Sequence, residues 1–267
     1  MNRTEKSVRV PDLQAKKTRG EKLTVLTAYD ATMARLLDSA GLDILLVGDS
    51  LGMVVLGYDT TLNVTMDDMV RHTQAVRRGA SRALVVADLP FLSYQISEEE
   101  AMRNAGRLIQ EGHAGAVKLE GGASVTHIVH RLVSAGIPVM GHLGLTPQSF
   151  HQLGGFRRQA TEPDQQELLL ADAQALQEAG VFAVVLECIP DALARRVTEA
   201  LAVPTIGIGS GPYCDGQVLV IHDVLGLSGA ATPPFVKRYA NLSETVVEAA
   251  SAFAEDVKVG KFPPPRK

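Results

Sequence analysis

The chain alternates between two kinds of segment. Amphipathic stretches that close at a glycine are followed, within a few residues, by short runs of almost continuous apolar character. Such runs, with no polar alternation, read as strands buried on both faces, the pattern of a parallel sheet. They predict strands at residues 23–28, 44–47, 84–87, 116–119, 138–140, 183–186, 205–208 and 218–221. The segments between them predict helices. Gly41, Gly79, Gly112, Gly136 and Gly180 each stand where a helix should end, placed to take a left-handed conformation. Thr65 marks a helix start, and Ser97 with Glu100 predicts a capping box. A short helix with Pro11 in its first turn precedes the first strand and ends at Gly20. Residues 191–201 and 241–257 predict two more helices.

Eight strands alternating with helices over roughly 250 residues predict an α/β fold, a closed (β/α)₈ TIM barrel. An open doubly wound sheet is the alternative, and the even spacing of the units favours closure. Too few residues separate the last two strands for a helix, so Gly209-Ser210-Gly211-Pro212 must turn the chain almost directly. The same glycines suit either a phosphate cradle built from backbone N–H groups or the turn alone. No linker interrupts the pattern, which predicts a single domain over 1–267, with an N-terminal helical segment at 1–20 and a tail at 258–267.

The net charge of −4 offers no global basic surface for nucleic acid. Lys16, Lys17 and Arg19 are the nearest approach to a basic run and read as a solvated helix face. The sequence has no tryptophan and few aromatics, which argues against a stacking platform for bases or sugars. No apolar stretch reaches the length of a membrane span, and the N-terminus lacks a signal-peptide core. Cys188 and Cys214 suggest neither a disulfide framework nor a metal site, so a reducing, cytoplasmic setting is expected.

Four of the apolar runs close with an acid. Asp49 follows Leu45-Leu46-Val47-Gly48, Asp88 follows Val85-Val86-Ala87, Glu120 follows Val117-Lys118-Leu119, and Glu187 follows Val184-Val185-Leu186. In a barrel these positions share the C-terminal mouth, with Tyr29, Ser50 and His142. Lys118 and Glu120 are two apart on one strand and therefore face the same way. Carboxylates so crowded repel unless a cation or a shared proton holds them. Oxygen donors without a His/Cys set suit Mg²⁺ and an anionic substrate more than a structural zinc. Singly, Asp49 and Asp88 would read as helix caps; glutamate caps poorly, and four acids beside a lysine read as a site. His127 and His130 read as a surface helix pair, and Met53, Met66 and Met69 as packing.

The motifs Val47-Gly48-Asp49-Ser50-Leu51-Gly52-Met53, Ala87-Asp88-Leu89-Pro90-Phe91, Val117-Lys118-Leu119-Glu120-Gly121-Gly122, Gly141-His142-Leu143-Gly144-Leu145-Thr146-Pro147-Gln148, Leu186-Glu187-Cys188 and Gly207-Ile208-Gly209 through Cys214-Asp215-Gly216-Gln217 are similar to those of the ketopantoate (3-methyl-2-oxobutanoate) hydroxymethyltransferase family. The resemblance runs from Thr27-Ala28-Tyr29-Asp30 to Phe235-Val236-Lys237-Arg238-Tyr239-Ala240-Asn241, nearly the whole chain, and as a set the motifs are highly specific. It implies a barrel of the phosphoenolpyruvate/pyruvate type, commonly a homodecamer. The implied reaction moves a one-carbon unit from 5,10-methylenetetrahydrofolate to 3-methyl-2-oxobutanoate, giving 2-dehydropantoate on the way to pantothenate. Carried over by motif, Asp49, Asp88 and Glu120 are the expected Mg²⁺ ligands. Asp49, Ser50, Asp88 and Lys118 are the groups expected around the oxoacid, and Glu187 is the expected base; His142, by its place at the end of its strand, is a candidate auxiliary in the attack on the folate-borne methylene.

The chain departs from the family pattern in three places. After the His142 loop it reads Gly155-Phe156-Arg157-Arg158-Gln159-Ala160-Thr161, where the family has a second glycine and then a basic residue. It has Leu62-Asn63 for Leu-Pro, and it lacks the histidine-containing C-terminal tail. The competing readings are a metal-dependent 2-oxoacid lyase or mutase of the same superfamily, and a non-enzymatic binding barrel. Cys188 and Cys214 do not fit the loop cysteine of the former, and the intact acids count against the latter.

Overall fold

The computed structural model describes residues 6–229 and 232–264; the parts of the expected terminal segments at 1–5 and 265–267 lie outside the described residues. Two compact units are present, one ending at Leu219 and one beginning at Val220.

In the first unit eight parallel strands close into a barrel in sequence order. They are β1 (Leu23–Thr27), β2 (Ile44–Val47), β3 (Leu84–Asp88), β4 (Ala116–Lys118), β5 (Val139–Gly144), β6 (Ala183–Glu187), β7 (Thr205–Ile208) and β8 (Gly216–Leu219). The helices are α1 (Val10–Thr18), α2 (Ala31–Ser39), α3 (Leu51–Val54), α4 (Met66–Gly79), α5 (Glu98–Gln110), α6 (Thr126–Ser134), α7 (Phe150–Leu153), α8 (Pro163–Ala179) and α9 (Asp191–Ala200). The second unit contains α10 (Ile221–Val224) and α11 (Leu242–Lys258), close to the helix expected at 241–257.

Alternate residues of the strands fill the barrel. Leu23 and Val25, Ile44 and Leu46, Leu84 and Val86, Ala116, Met140, Ala183 and Val185, Ile206 and Val218 form one buried cluster. Leu13 of α1 belongs to it, 1% exposed, so the first helix stoppers the barrel. This explains a correction to the expected solvated face. Lys16 pairs with the buried carboxylate of Asp43 at 2.5 Å. Lys17 pairs with Asp215 at 2.9 Å and also donates to the carbonyls of Thr198 and Val203. Asp43 and Asp215 in turn accept from the backbone N–H groups of Thr24 and Thr205. Arg19 alone keeps the expected character, paired with Glu21 at the surface.

Two strands differ from expectation by more than one residue, because neighbouring strands, not their own apolar content, set their limits. β5 runs past Met140 to Gly144, with His142 opposite Val185 and Gly144 opposite Glu187. β8 lies two residues earlier than 218–221, with Gly216 opposite Leu23 on one side and Ile206 on the other. Ile221 instead opens α10.

The helix starts are largely as expected. Thr65 and Asp68 form a reciprocal capping box at α4. At α5, Ser97 accepts from the Glu100 N–H, but the Glu100 carboxylate turns to Asn104 instead of completing the box. Of the five closing glycines, Gly41, Gly136 and Gly180 have positive φ. Gly79 and Gly112 do not; they are needed for close approach. A Cβ on Gly79 would lie 2.2 Å from the Ala31 carbonyl oxygen, and one on Gly112 would lie 2.6 Å from that of Leu108. His113 takes the left-handed position after α5, with φ 59°.

Asp38, near the end of α2, fixes the entry to β3. Its carboxylate accepts from the N–H groups of Ser81, Arg82 and Ala83 and from the Ser81 hydroxyl. Burial raises its pKa, but those donors outweigh burial and hold it below the ordinary 3.8. Asp38→Ala leaves the N–H groups without their acceptor and should cost about 2–3 kcal/mol at neutral pH, read by denaturant unfolding. The carboxylate's contribution is complete above the ordinary value and lost as pH falls through the lower native one. The difference between parent and Asp38→Asn should therefore shrink on acidification; a pH-independent difference would refute the electrostatic account.

Ala160, 7% exposed, has φ 52° at the position where the resembled family has glycine. The left-handed conformation costs an L-residue roughly 1–2 kcal/mol. Ala160→Gly should therefore leave unfolding stability unchanged or raise it by about 0.5 kcal/mol, despite glycine's added backbone freedom. A loss of about 1 kcal/mol would show that the Ala160 conformation carries no strain.

Candidate active site

The inward alternation that builds the apolar core continues upward into charge. Beyond Val86 stands Asp88, beyond Ala116 stand Lys118 and then Glu120, beyond Met140 stands His142, and beyond Val185 stands Glu187. All lie at the C-terminal ends of their strands, where this fold gathers reacting groups. Asp88 and Lys118 are direct register partners, and their side chains pair at 2.8 Å while 3% and 4% exposed. The second oxygen of Asp88 accepts the backbone N–H of Asp49 at 3.1 Å. Gly48 makes room for this: a Cβ there would meet the Ser50 hydroxyl at 2.8 Å and Asp88 at 3.5 Å.

Neither Asp49 nor Asp88 caps a helix. Asp49 Oδ2 accepts from the side-chain amide of Gln148 at 2.9 Å. Glu120 Oε2 accepts the backbone N–H of Gln148 at 3.0 Å, and its other oxygen lies 3.3 Å from His142 Nδ1. His142 Nε2 lies 3.1 Å from Glu187. Neither imidazole contact is well aligned as a hydrogen bond, and the buried ring lies between the two carboxylates. The Ser50 hydroxyl shares a 2.8 Å hydrogen bond with that of Tyr29. The acid that does cap is Asp30, which accepts from Thr32 and Met33 at the start of α2.

The electrostatics follow from this crowding. Burial, and then the charges of Asp88 and Glu120, raise the Asp49 carboxyl well above its usual range. Burial opposes the Lys118 ammonium, but Asp88, Glu120 and Asp49 more than compensate and hold its pKa above the usual lysine value. Burial and Lys118 likewise oppose a charged His142, yet Glu120 and Glu187 raise its pKa to about 9. Burial, and the neighbouring Glu187 charge, push the Cys188 thiol up to about 11, which leaves it a poor nucleophile.

The donor set suits a hard divalent cation. Asp49, Asp88 and Glu120 offer only carboxylate oxygens, and their mutual repulsion is what a cation would relieve. Among the described residues no three His, Cys, Asp or Glu side chains converge into a ready-made cage.

The strand-end rule finds each of these groups in the sequence; it misses Gln148 and Tyr94. Tyr94, 1% exposed, sends its hydroxyl to the Gln148 side chain at 2.8 Å and accepts the Glu120 N–H at 3.1 Å. Their signal is weak because both lie on loops and neither is an acid. His127 and His130 are exposed on α6, as expected, and Met69 is buried. The loop between β7 and β8 serves its turn. The Ser210 hydroxyl donates to the Leu186 carbonyl, and Asp191 packs so closely on Gly211 that a Cβ would lie 2.5 Å from its carboxyl carbon. A carboxylate there opposes an anion cradle.

Among solved structures, the fold is similar to phosphonopyruvate hydrolase in complex with oxalate and Mg²⁺ (TM-score 0.63, 13% identity, covering 95% of this chain and 88% of that one). It is also similar to 2,3-dimethylmalate lyase, of the PEP mutase/isocitrate lyase superfamily (TM-score 0.61, 18% identity, 97% and 90% covered). At these identities the likeness bears on the barrel alone. Sequence relatives are far nearer. The 3-methyl-2-oxobutanoate hydroxymethyltransferase of Moorella thermoacetica is 62% identical over 96% of this chain and 95% of its own. That of Syntrophus aciditrophicus is 58% identical over 94% and 92%. The profile of the ketopantoate hydroxymethyltransferase family matches residues 7–265. With a barrel that carries its acids at the expected strand ends, the chain belongs to the ketopantoate hydroxymethyltransferase family.

Proposed function

We propose that this chain transfers a hydroxymethyl group from 5,10-methylenetetrahydrofolate to 3-methyl-2-oxobutanoate, giving 2-dehydropantoate for pantothenate synthesis. The observation that carries the mechanism is the division of labour among the acids. Asp49, Asp88 and Glu120 are each tied to Lys118 or Gln148, whereas Glu187, which shares His142 with Glu120, is tied to neither. Asp49, Asp88 and Glu120 would hold Mg²⁺. When bound, the cation supplies Lewis-acid stabilisation of negative charge on the oxoacid. Asp49, Ser50, Asp88 and Lys118 surround that substrate, with Lys118 adding positive charge beside its carboxylate. Glu187, whose side chain is 16% exposed, removes the C3 proton. His142 supports Glu187 through the 3.1 Å contact. The folate methylene bridge opens to an iminium, water adds to it, and tetrahydrofolate leaves as the second C–N bond breaks; the carbon nucleophile attacks the formaldehyde released, whose oxygen becomes the hydroxyl.

We assign the chain to the cytoplasm and to a closed homo-oligomer, a decamer on the family resemblance. Two free cysteines suit a reducing setting, and among the described residues no helix is long and apolar enough to cross a membrane.

Glu187→Gln keeps the shape of the side chain but cannot accept a proton. Exchange of the C3 proton of 3-methyl-2-oxobutanoate with solvent should fall by about 10²-fold or more, while Mg²⁺ and oxoacid still bind. Exchange at the parent rate with product formation lost would move Glu187 to the folate step. Parent enzyme that cleaves or rearranges an oxoacid without folate would instead identify a lyase or mutase.

Sedimentation at micromolar concentration should show a closed oligomer larger than a dimer. A monomer would refute the assembly.

A further inference from the structure

Gln148 touches two of the three proposed metal carboxylates and is itself held from every side. It is 6% exposed, within the short turn Pro147–Ser149 beyond β5. Its side-chain nitrogen donates to Asp49 Oδ2 and to the Leu89 carbonyl, both at 2.9 Å. Its side-chain oxygen accepts from the Tyr94 hydroxyl at 2.8 Å and from the Gln95 amide at 3.2 Å. Its backbone N–H donates to Glu120 Oε2 at 3.0 Å. A primary amide has two N–H donors and two acceptor sites, and here all four are used. The alternative amide orientation would set its oxygen against the Asp49 carboxylate and the Leu89 carbonyl, so the network permits one orientation only.

We propose that Gln148 is a positioning residue that aims Asp49 and Glu120, and that Tyr94 fixes the orientation of its amide. The inference rests on the reading of Asp49 and Glu120 as metal ligands. A neutral donor can hold a carboxylate without discharging it, which is the opposite of what Lys118 does to Asp88. Gln148 thus restrains Asp49, through the side chain, and Glu120, through the backbone, without placing a positive charge beside either. It also joins four loops, those following β2, β3, β4 and β5. Tyr94 contributes twice, since its hydroxyl also accepts the N–H and meets the carbonyl of Glu120. Partners of this kind, one step removed from a metal, orient its ligands, and their loss typically lowers metal affinity by about 10–100-fold.

The test is calorimetric titration of Mg²⁺ into the full-length protein with 3-methyl-2-oxobutanoate present, comparing parent, Gln148→Met and Tyr94→Phe. Methionine keeps the length of the side chain and removes its hydrogen bonds. Gln148→Met should weaken Mg²⁺ binding by about tenfold or more and Tyr94→Phe by about threefold or more. A purely structural role would lower the melting temperature and the bindable fraction but leave the Kd of the folded protein at the parent value. Parent-like Kd in folded Gln148→Met overturns the inference and spares the metal reading. A parent that binds no Mg²⁺ overturns both. Should Gln148→Met fail to fold, Tyr94→Phe decides: weakening supports the inference, and a Kd within about twofold of the parent refutes it.

Discussion

The two-residue alternation of a strand governs the structure from the base of the barrel to its mouth. Each strand can send only every second side chain inward, and eight parallel strands in register stack those side chains in layers. Val86 below Asp88, Ala116 below Lys118, Met140 below His142 and Val185 below Glu187 obey that one constraint. A slip of one residue in any strand would put its charge among the surrounding helices and an apolar side chain in the mouth. The packing that stabilises the barrel and the placement of its chemistry are therefore inseparable.

Charge brought together in this way must be managed, and the site uses several means. Asp88 is neutralised by a lysine on the neighbouring strand. Asp49 is held by an amide, Glu120 by a backbone N–H, and both lie within reach of Lys118's field. Burial and Lys118 disfavour a charged His142, but Glu120 and Glu187 on either side outweigh them and raise its pKa. The arrangement gathers carboxylates in a buried site, and burial first, with the repulsion of Asp88 and Glu120 added, raises the pKa of Asp49. A site that binds a cation needs that concentration.

The opposite end is built on the same reasoning with a different purpose. α1 supplies Leu13 as a stopper and Lys16 and Lys17 as ties to Asp43 and Asp215, whose carboxylates also hold backbone N–H groups of β1 and β7. These pairs are satisfied by further hydrogen bonds, the condition under which a buried ion pair is not a liability. One mouth is closed by paired charge and the other left with charge to spare.

The apolar runs and closing glycines fix the eight strands, their alternation with helices and hence the barrel, because a fully buried strand must be apolar along its length. The acids that end those runs are legible for the same reason, since a charge stands out where an apolar pattern stops. Local pattern says much less about what a side chain meets across the fold. Lys16 and Lys17 look like solvated charge until Asp43 and Asp215 arrive from distant strands. Gln148 reaches Asp49 across 99 positions in sequence, and its neutral amide leaves no mark on charge or hydropathy. The true span of β8 depends on Leu23 and Ile206, strands on either side, and not on the more apolar residues that follow it. The sequence by itself determined which layers the barrel would contain and which acids would crown it. Only the tertiary structure decided which neutral groups hold those acids, because hydrogen bonds between loops obey no periodicity that a single chain displays.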